Sequence, residues 1–133
     1  MFRLARMLNT SNITEETVKL QKSPSLAVSA GTALTINLGT LSTATYDAFP
    51  DYILTKDTKD ESSTKVLAYH VTENMVFKVD YTNAIPPKLG MKVGIYSLPD
   101  CPSGAVGFNT NGKGMIVDIE PGGKKVYVRF SKT

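Results

Sequence analysis

Val66-Leu67-Ala68-Tyr69-His70-Val71 and Met75-Val76-Phe77-Lys78-Val79-Asp80-Tyr81, separated by Thr72-Glu73-Asn74, decide how this chain is read. In the second run Met75, Phe77, Val79 and Tyr81 fall at alternate positions, with Lys78 and Asp80 between them. That is the period of a strand with one face in a core and the other in water. The short link between the runs predicts a hairpin. A slip of one residue would turn the large apolar groups out into water, so the register is expected to be strongly specified.

Working outward, the same alternation returns in Met91-Lys92-Val93-Gly94-Ile95-Tyr96. It returns again in a closing hairpin, Met115–Glu120 and Lys124–Phe130 around Pro121-Gly122-Gly123. Upstream, Leu26–Ala30 and Leu34–Leu38 alternate across Gly31-Thr32 and predict another hairpin, and Tyr52-Ile53-Leu54 is a short strand. Ile85–Gly90 reads as a connection because Pro86 and Pro87 remove ladder donors. Lys56–Lys65 reads as an exposed charged loop, and Leu98–Gly114, rich in Pro, Gly and Asn, as a second long loop. Before residue 25 the pattern predicts an extended arm with at most one helical turn, near Asn12-Ile13-Thr14-Glu15. The expectation is a mainly all-β chain: an N-terminal arm over residues 1–25, and a small antiparallel β-barrel, β-sandwich or β-tulip-like domain over residues 26–133.

Composition agrees. The 133 residues are one ordinary domain, and 41% apolar content supplies a core without disulfides or a structural metal. Charged residues, at 20%, are too few for disorder or a coiled coil. Cys101, the lone cysteine, fits a reducing compartment and has no base beside it in sequence to make it a nucleophile. No stretch reads as a signal peptide or as a membrane span, so neither export nor a membrane partner is expected. The net charge of +3 is uneven: residues 1–80 carry eight Lys/Arg against nine Asp/Glu (−1), and residues 81–133 carry seven against three (+4).

The residues offer little for catalysis. His70 is the only histidine, which excludes two-histidine zinc motifs, and it reads as a surface residue. Asp57–Glu61 lacks the glycine and distal glutamate of a calcium loop. The glycines at 104, 107, 112 and 114 precede no helix and no Gly-Lys-Ser/Thr ending, so they suit turns better than a phosphate loop. No catalytic residue, cofactor or metal is expected.

Five pieces taken in order carry a resemblance: Met1-Phe2-Arg3-Leu4, Val28–Leu34, Tyr69–Phe77, Leu89–Val93 and Val126-Tyr127-Val128-Arg129-Phe130. In order and spacing the chain resembles the capsid decoration, or cement, proteins of tailed bacteriophages. It departs from them at the acidic loop Asp57–Glu61 and the long loop Leu98–Gly114. The resemblance implies a structural protein and not an enzyme, made in the host cytoplasm and residing on the capsid exterior of the virion. Its partners would be the major capsid protein and itself, as a homotrimer, with no nucleic acid. On that reading Phe2, Arg3, Leu4 and Arg6 are arm contacts to the capsid, and Tyr127 and Arg129 are trimer or capsid contacts. Arginine at 3, 6 and 129 suits bidentate carboxylate pairing. Two other readings stay open: a nucleic-acid-binding β-barrel, from the basic last third, and a carbohydrate-binding adhesin, from six tyrosines, though there is no tryptophan for sugar stacking.

Overall fold

A computed structural model describes residues 1–7, 16–19, 21–22, 29–37, 40–55 and 65–132. They form twelve strands and no helix: β1 Arg3–Met7, β2 Glu16–Lys19, β3 Gln21–Lys22, β4 Ala33–Asn37, β5 Thr40–Thr43, β6 Tyr52–Leu54, β7 Lys65–His70, β8 Met75–Tyr81, β9 Lys92–Leu98, β10 Cys101–Phe108, β11 Gly114–Ile119 and β12 Lys125–Phe130. The all-β barrel expected from the sequence is present. Strands β8, β10, β9, β11 and β12 close on themselves into a five-stranded barrel, because β12 pairs back onto β8. A second sheet runs β2-β7-β6-β4-β5-β3. Described pairings are antiparallel apart from β8 with β10 and β3 with β5.

The barrel interior follows from period-two alternation. Val126, Val128 and Phe130 of β12, Met75, Phe77 and Val79 of β8, Val93 and Ile95 of β9, Val106 of β10 and Ile116 of β11 form one buried cluster. Phe130 is its aromatic centre, with ring centroids 5.8 Å from Phe2, 6.3 Å from Phe49 and 6.4 Å from Phe77. Tyr127 and Arg129, the odd members of β12, point to the opposite face, as the closing hairpin predicts. Gly122 and Gly123 both hold positive φ in its turn.

The hairpin expected between Val66–Val71 and Met75–Tyr81 does not form. Both strands exist, but β7 pairs with β2 and β6, and β8 pairs with β1, β10 and β12. Val71–Asn74 is the passage from the second sheet to the barrel. Alternation specifies which face of a strand is buried and leaves its neighbour open, and here long-range partners occupy the edges.

The upstream hairpin also differs. Residues 26–28 lie outside the described residues, and β4 pairs with β5 on one edge and β6 on the other. The expected loop at Leu98–Gly114 is in large part β10, whose residues Ser103 to Gly107 are all buried. Its glycines serve close packing: a β-carbon on Gly107 would stand 2.7 Å from the Thr82 carbonyl oxygen. Pro102 is tolerated because the β9–β10 register shifts between Cys101 and Ala105. The charged loop at 56–64 and the predicted helical turn at 12–15 lie outside the described residues.

The sheets are joined by a strap after β5. Ser103 Oγ donates to the Ala44 carbonyl at 2.7 Å, Ile95 N donates to the Tyr46 carbonyl at 3.0 Å, and Asn109 Nδ2 donates to Asp47 Oδ1 at 2.6 Å. Gly94 admits the strap, since a β-carbon there would overlap the Tyr46 carbonyl. Ala33, Ala44, Ile53 and Val71 from the second-sheet segment enter the barrel cluster, while Leu34, Leu41, Leu54 and Val66 make a smaller core of their own. Replacing the buried Ser103 by alanine strands the Ala44 carbonyl. The expected loss is about 1–2 kcal/mol in equilibrium denaturation, and a change within error would show that this bond carries no stability.

Candidate binding face and cleft

The first residues do not stand apart as an arm. β1 lies antiparallel along β8, with Arg3 opposite Lys78, Leu4 opposite Phe77, and Arg6 opposite Val76 after a bulge. β2 and β3 are paired into the second sheet. Phe2 is 3% exposed and packs edge-on to Phe77 at 6.2 Å, so it is a core residue and not an exposed contact. Leu4 is half-buried and packs on the same cluster. Burial of an aromatic ring against two others outweighs anything an extended terminus gains in water.

Arg3 and Arg6 are exposed, and the pairing brings them to Tyr127 and Arg129. β12 pairs with β8 on the edge opposite β1, with Tyr127 opposite Lys78 and Arg129 opposite Val76. Two rows therefore cross β1, β8 and β12 on the side away from the barrel core: Arg3–Lys78–Tyr127 and Arg6–Val76–Arg129, with Val76 itself fully buried in the second row. The bulge between Leu4 and Arg6 is what returns Arg6 to the same face as Arg3. Of the six residues expected as contacts, the four polar ones share one surface and the two apolar ones point inward. Lys78 belongs to the face as well, and its place on the wet side of β8 was its only mark in the sequence.

The charges on this face are not equally free. Lys78 Nζ sits 2.8 Å from Glu120 Oε1, and the hydrogen bond to Glu120 raises the lysine above its usual range. Lys125 lies 3.6 Å from Asp80, whose other oxygen takes the Met1 amino group at 2.6 Å. Burial pushes the Asp80 carboxyl up, but the amino group and Lys125 together outweigh it and the group titrates low. Arg129 Nε donates to the Glu73 carbonyl at 2.6 Å. The Glu73 carboxylate accepts from Lys132 N at 2.8 Å and from Ser131 Oγ, and the Lys132 bond leads in lowering its pKa. Among the described residues Arg3, Arg6 and Arg129 enter no ion pair. They are the charges this face has left for a partner.

Beside β1 lies a cleft of about 350 Å³ between the barrel and the second sheet. Phe2, Leu4, Ile53 and Leu54 line its apolar part, with Arg3, Thr55 and Tyr69 also at its wall. Elsewhere, His70 is exposed and stacks on Tyr52 at 5.3 Å, as a surface histidine does. Buried Cys101 has the Thr32 hydroxyl at 3.5 Å. Among the described residues no three His, Cys, Asp or Glu side chains are grouped to hold a metal, and no helix is long and apolar enough to cross a membrane. Comparison with protein-family models, with curated proteins and with solved structures finds no match to this chain.

Proposed function

We propose that this protein is a non-enzymatic capsid decoration protein of a tailed bacteriophage, which binds the outer surface of the assembled shell as a trimer and stabilises it. The observation that supports this reading best is the collection of Arg3, Arg6, Tyr127 and Arg129 in two rows on one rigid barrel face. Guanidinium forks pair with carboxylates in two-point geometry, which suits docking on an acidic protein lattice. One exposed pair contributes only about 0.2–1 kcal/mol. Three copies linked in one trimer reinforce each other through effective concentration, so weak single contacts suffice. A ligand that binds only the assembled lattice shifts the assembly equilibrium toward it. Exposed Leu89 and Met115 are apolar groups that self-association would cover.

A nucleic-acid module is less well served by this face, because Lys78 and Lys125 are already paired with Glu120 and Asp80. The test is sedimentation of the purified protein alone and with expanded capsids of its phage. A trimer that co-sediments with expanded shells and not with procapsids is expected, and the double variant Arg3→Glu/Arg129→Glu should lose the association while remaining folded. A monomer throughout the micromolar range with no co-sedimentation overturns the reading. Retention on DNA that falls steeply with salt would favour the nucleic-acid module instead.

A further inference from the structure

We infer that the cleft between β1 and strands β6 and β7 of the second sheet is an anchor pocket for an extended acidic peptide segment of a protein partner. It takes one large apolar side chain, and carboxylates on either side of that residue meet Arg3 and Arg6. The inference rests on the docking role proposed above and names the chemistry of the docked segment.

Four observations converge. The volume, about 350 Å³, is in the range of sites that hold small ligands or a few side chains. Part of its wall is apolar, from Phe2, Leu4, Ile53 and Leu54, so an apolar group gains by packing against it. Arg3 is the only charged side chain among the residues described as lining it, and the Met1 amino group, also at its wall, is paired with Asp80, so a carboxylate at the mouth is favoured and a cation is repelled.

The fourth observation is spacing. Arg3 and Arg6 oppose Lys78 and Val76, which are two residues apart on β8, so the two arginines recur with the repeat of alternate strand residues, about 7 Å. An extended peptide places side chains i and i+2 on one face at that same repeat and side chain i+1 on the other. A segment running beside β1 with the pattern acid–apolar–acid therefore sets its carboxylates beside the arginines while its central side chain turns inward, the way Leu4 turns. The bulge after Leu4 prevents a long continuous ladder on this edge. Recognition therefore depends on side chains more than on added backbone pairing.

The test is a titration of isotope-labelled protein with three blocked pentapeptides: Ser-Asp-Leu-Asp-Ser, Ser-Asp-Ser-Asp-Ser and Ser-Lys-Leu-Lys-Ser. The first should shift the amides of Leu4, Gly31, Thr55 and Tyr69 saturably at millimolar concentration or below, about tenfold more tightly than the other two. Ala30→Leu, which fills the cleft, and Arg3→Glu, which reverses its charge, should each weaken that peptide severalfold. Should Ala30→Leu fail to fold, Arg3→Glu decides alone. Equal binding of Ser-Asp-Ser-Asp-Ser overturns the anchor, and shifts confined to Tyr127 and Arg129, or none that saturate, overturn the site. The same variants are carried through capsid co-sedimentation. Peptide uptake without capsid binding counts against the decoration role alone, and capsid binding untouched by Ala30→Leu counts against the cleft alone.

Discussion

Replacing Phe130 by alanine should cost about 4 kcal/mol, close to the whole stability of a marginal domain. Phe130 is 1% exposed, and its ring meets those of Phe2, Phe49 and Phe77. Those partners come from the first residues, from the strap segment before β6 and from β8. A void at their meeting point is hard to collapse, because each neighbour is anchored by its own strand or by the strap, and incomplete collapse is what makes a cavity expensive. Urea unfolding followed by tyrosine fluorescence, which the six tyrosines and absence of tryptophan allow, measures the effect. A loss under about 1.5 kcal/mol would mean that the ring cluster relaxes freely and is not the centre of the fold.

Gly112→Ala should be comparably severe for a different reason. A β-carbon at Gly112 would overlap the Val93 carbonyl and also stand 2.7 Å from Gly94 N. These are backbone atoms of a paired barrel strand, which cannot swing aside as a side chain can. The expected loss is about 3 kcal/mol or more, at the upper end of overpacking effects. Gly122→Ala is the internal control. Gly122 sits at φ +96° with nothing within 4 Å of its added carbon, so only backbone strain of about 1–2 kcal/mol applies. Equal denaturation midpoints for the two variants would rule out steric exclusion at Gly112.

These two sites mark what could and could not be read from the residues. Phe130 belongs to the closing hairpin, whose second strand alternates strictly and whose turn carries Pro121-Gly122-Gly123, so β11 and β12 were legible in type and in pairing, though not the register shift after Ile116. Gly112 belongs to a stretch that reads as loop throughout because of its glycines, although residues 101–108 of it are strand β10. In the structure Gly112 does stand in the turn between β10 and β11, its N donating to the Asn109 carbonyl at 3.0 Å, and is also pressed against β9, whereas Gly107 lies within β10 against the Thr82 carbonyl. A glycine reports that a side chain is excluded; only the neighbour tells whether a turn or a packed strand excludes it. Strands β7 and β8 were legible as strands and misleading as a pair, since their buried faces say nothing about which edge meets which.

The candidate face was half legible for the same reason. Arg3, Arg6, Tyr127 and Arg129 stand out in the sequence as polar positions in two terminal segments more than a hundred residues apart. Lys78 and Val76, which lie between them in register, are marked only once β1 and β12 are known to flank β8. The cleft was not legible at all, because Ile53 and Tyr69 come from a sheet whose contact with β1 depends on long-range packing.

The pairing of β1 with β8 has one more consequence. Met7 stands opposite Met75, so these two strands form a hairpin whose loop is residues 8 to 74, and the entire second sheet is contained in that loop. Closing so long a loop costs roughly 2–3 kcal/mol more in chain entropy than closing a four-residue turn. The second sheet offsets part of this by shortening the path between its own ends: β2, its first strand, pairs with β7, its last, setting Glu16 opposite Ala68. Entropically, the inserted sheet serves as the turn of the barrel's first hairpin.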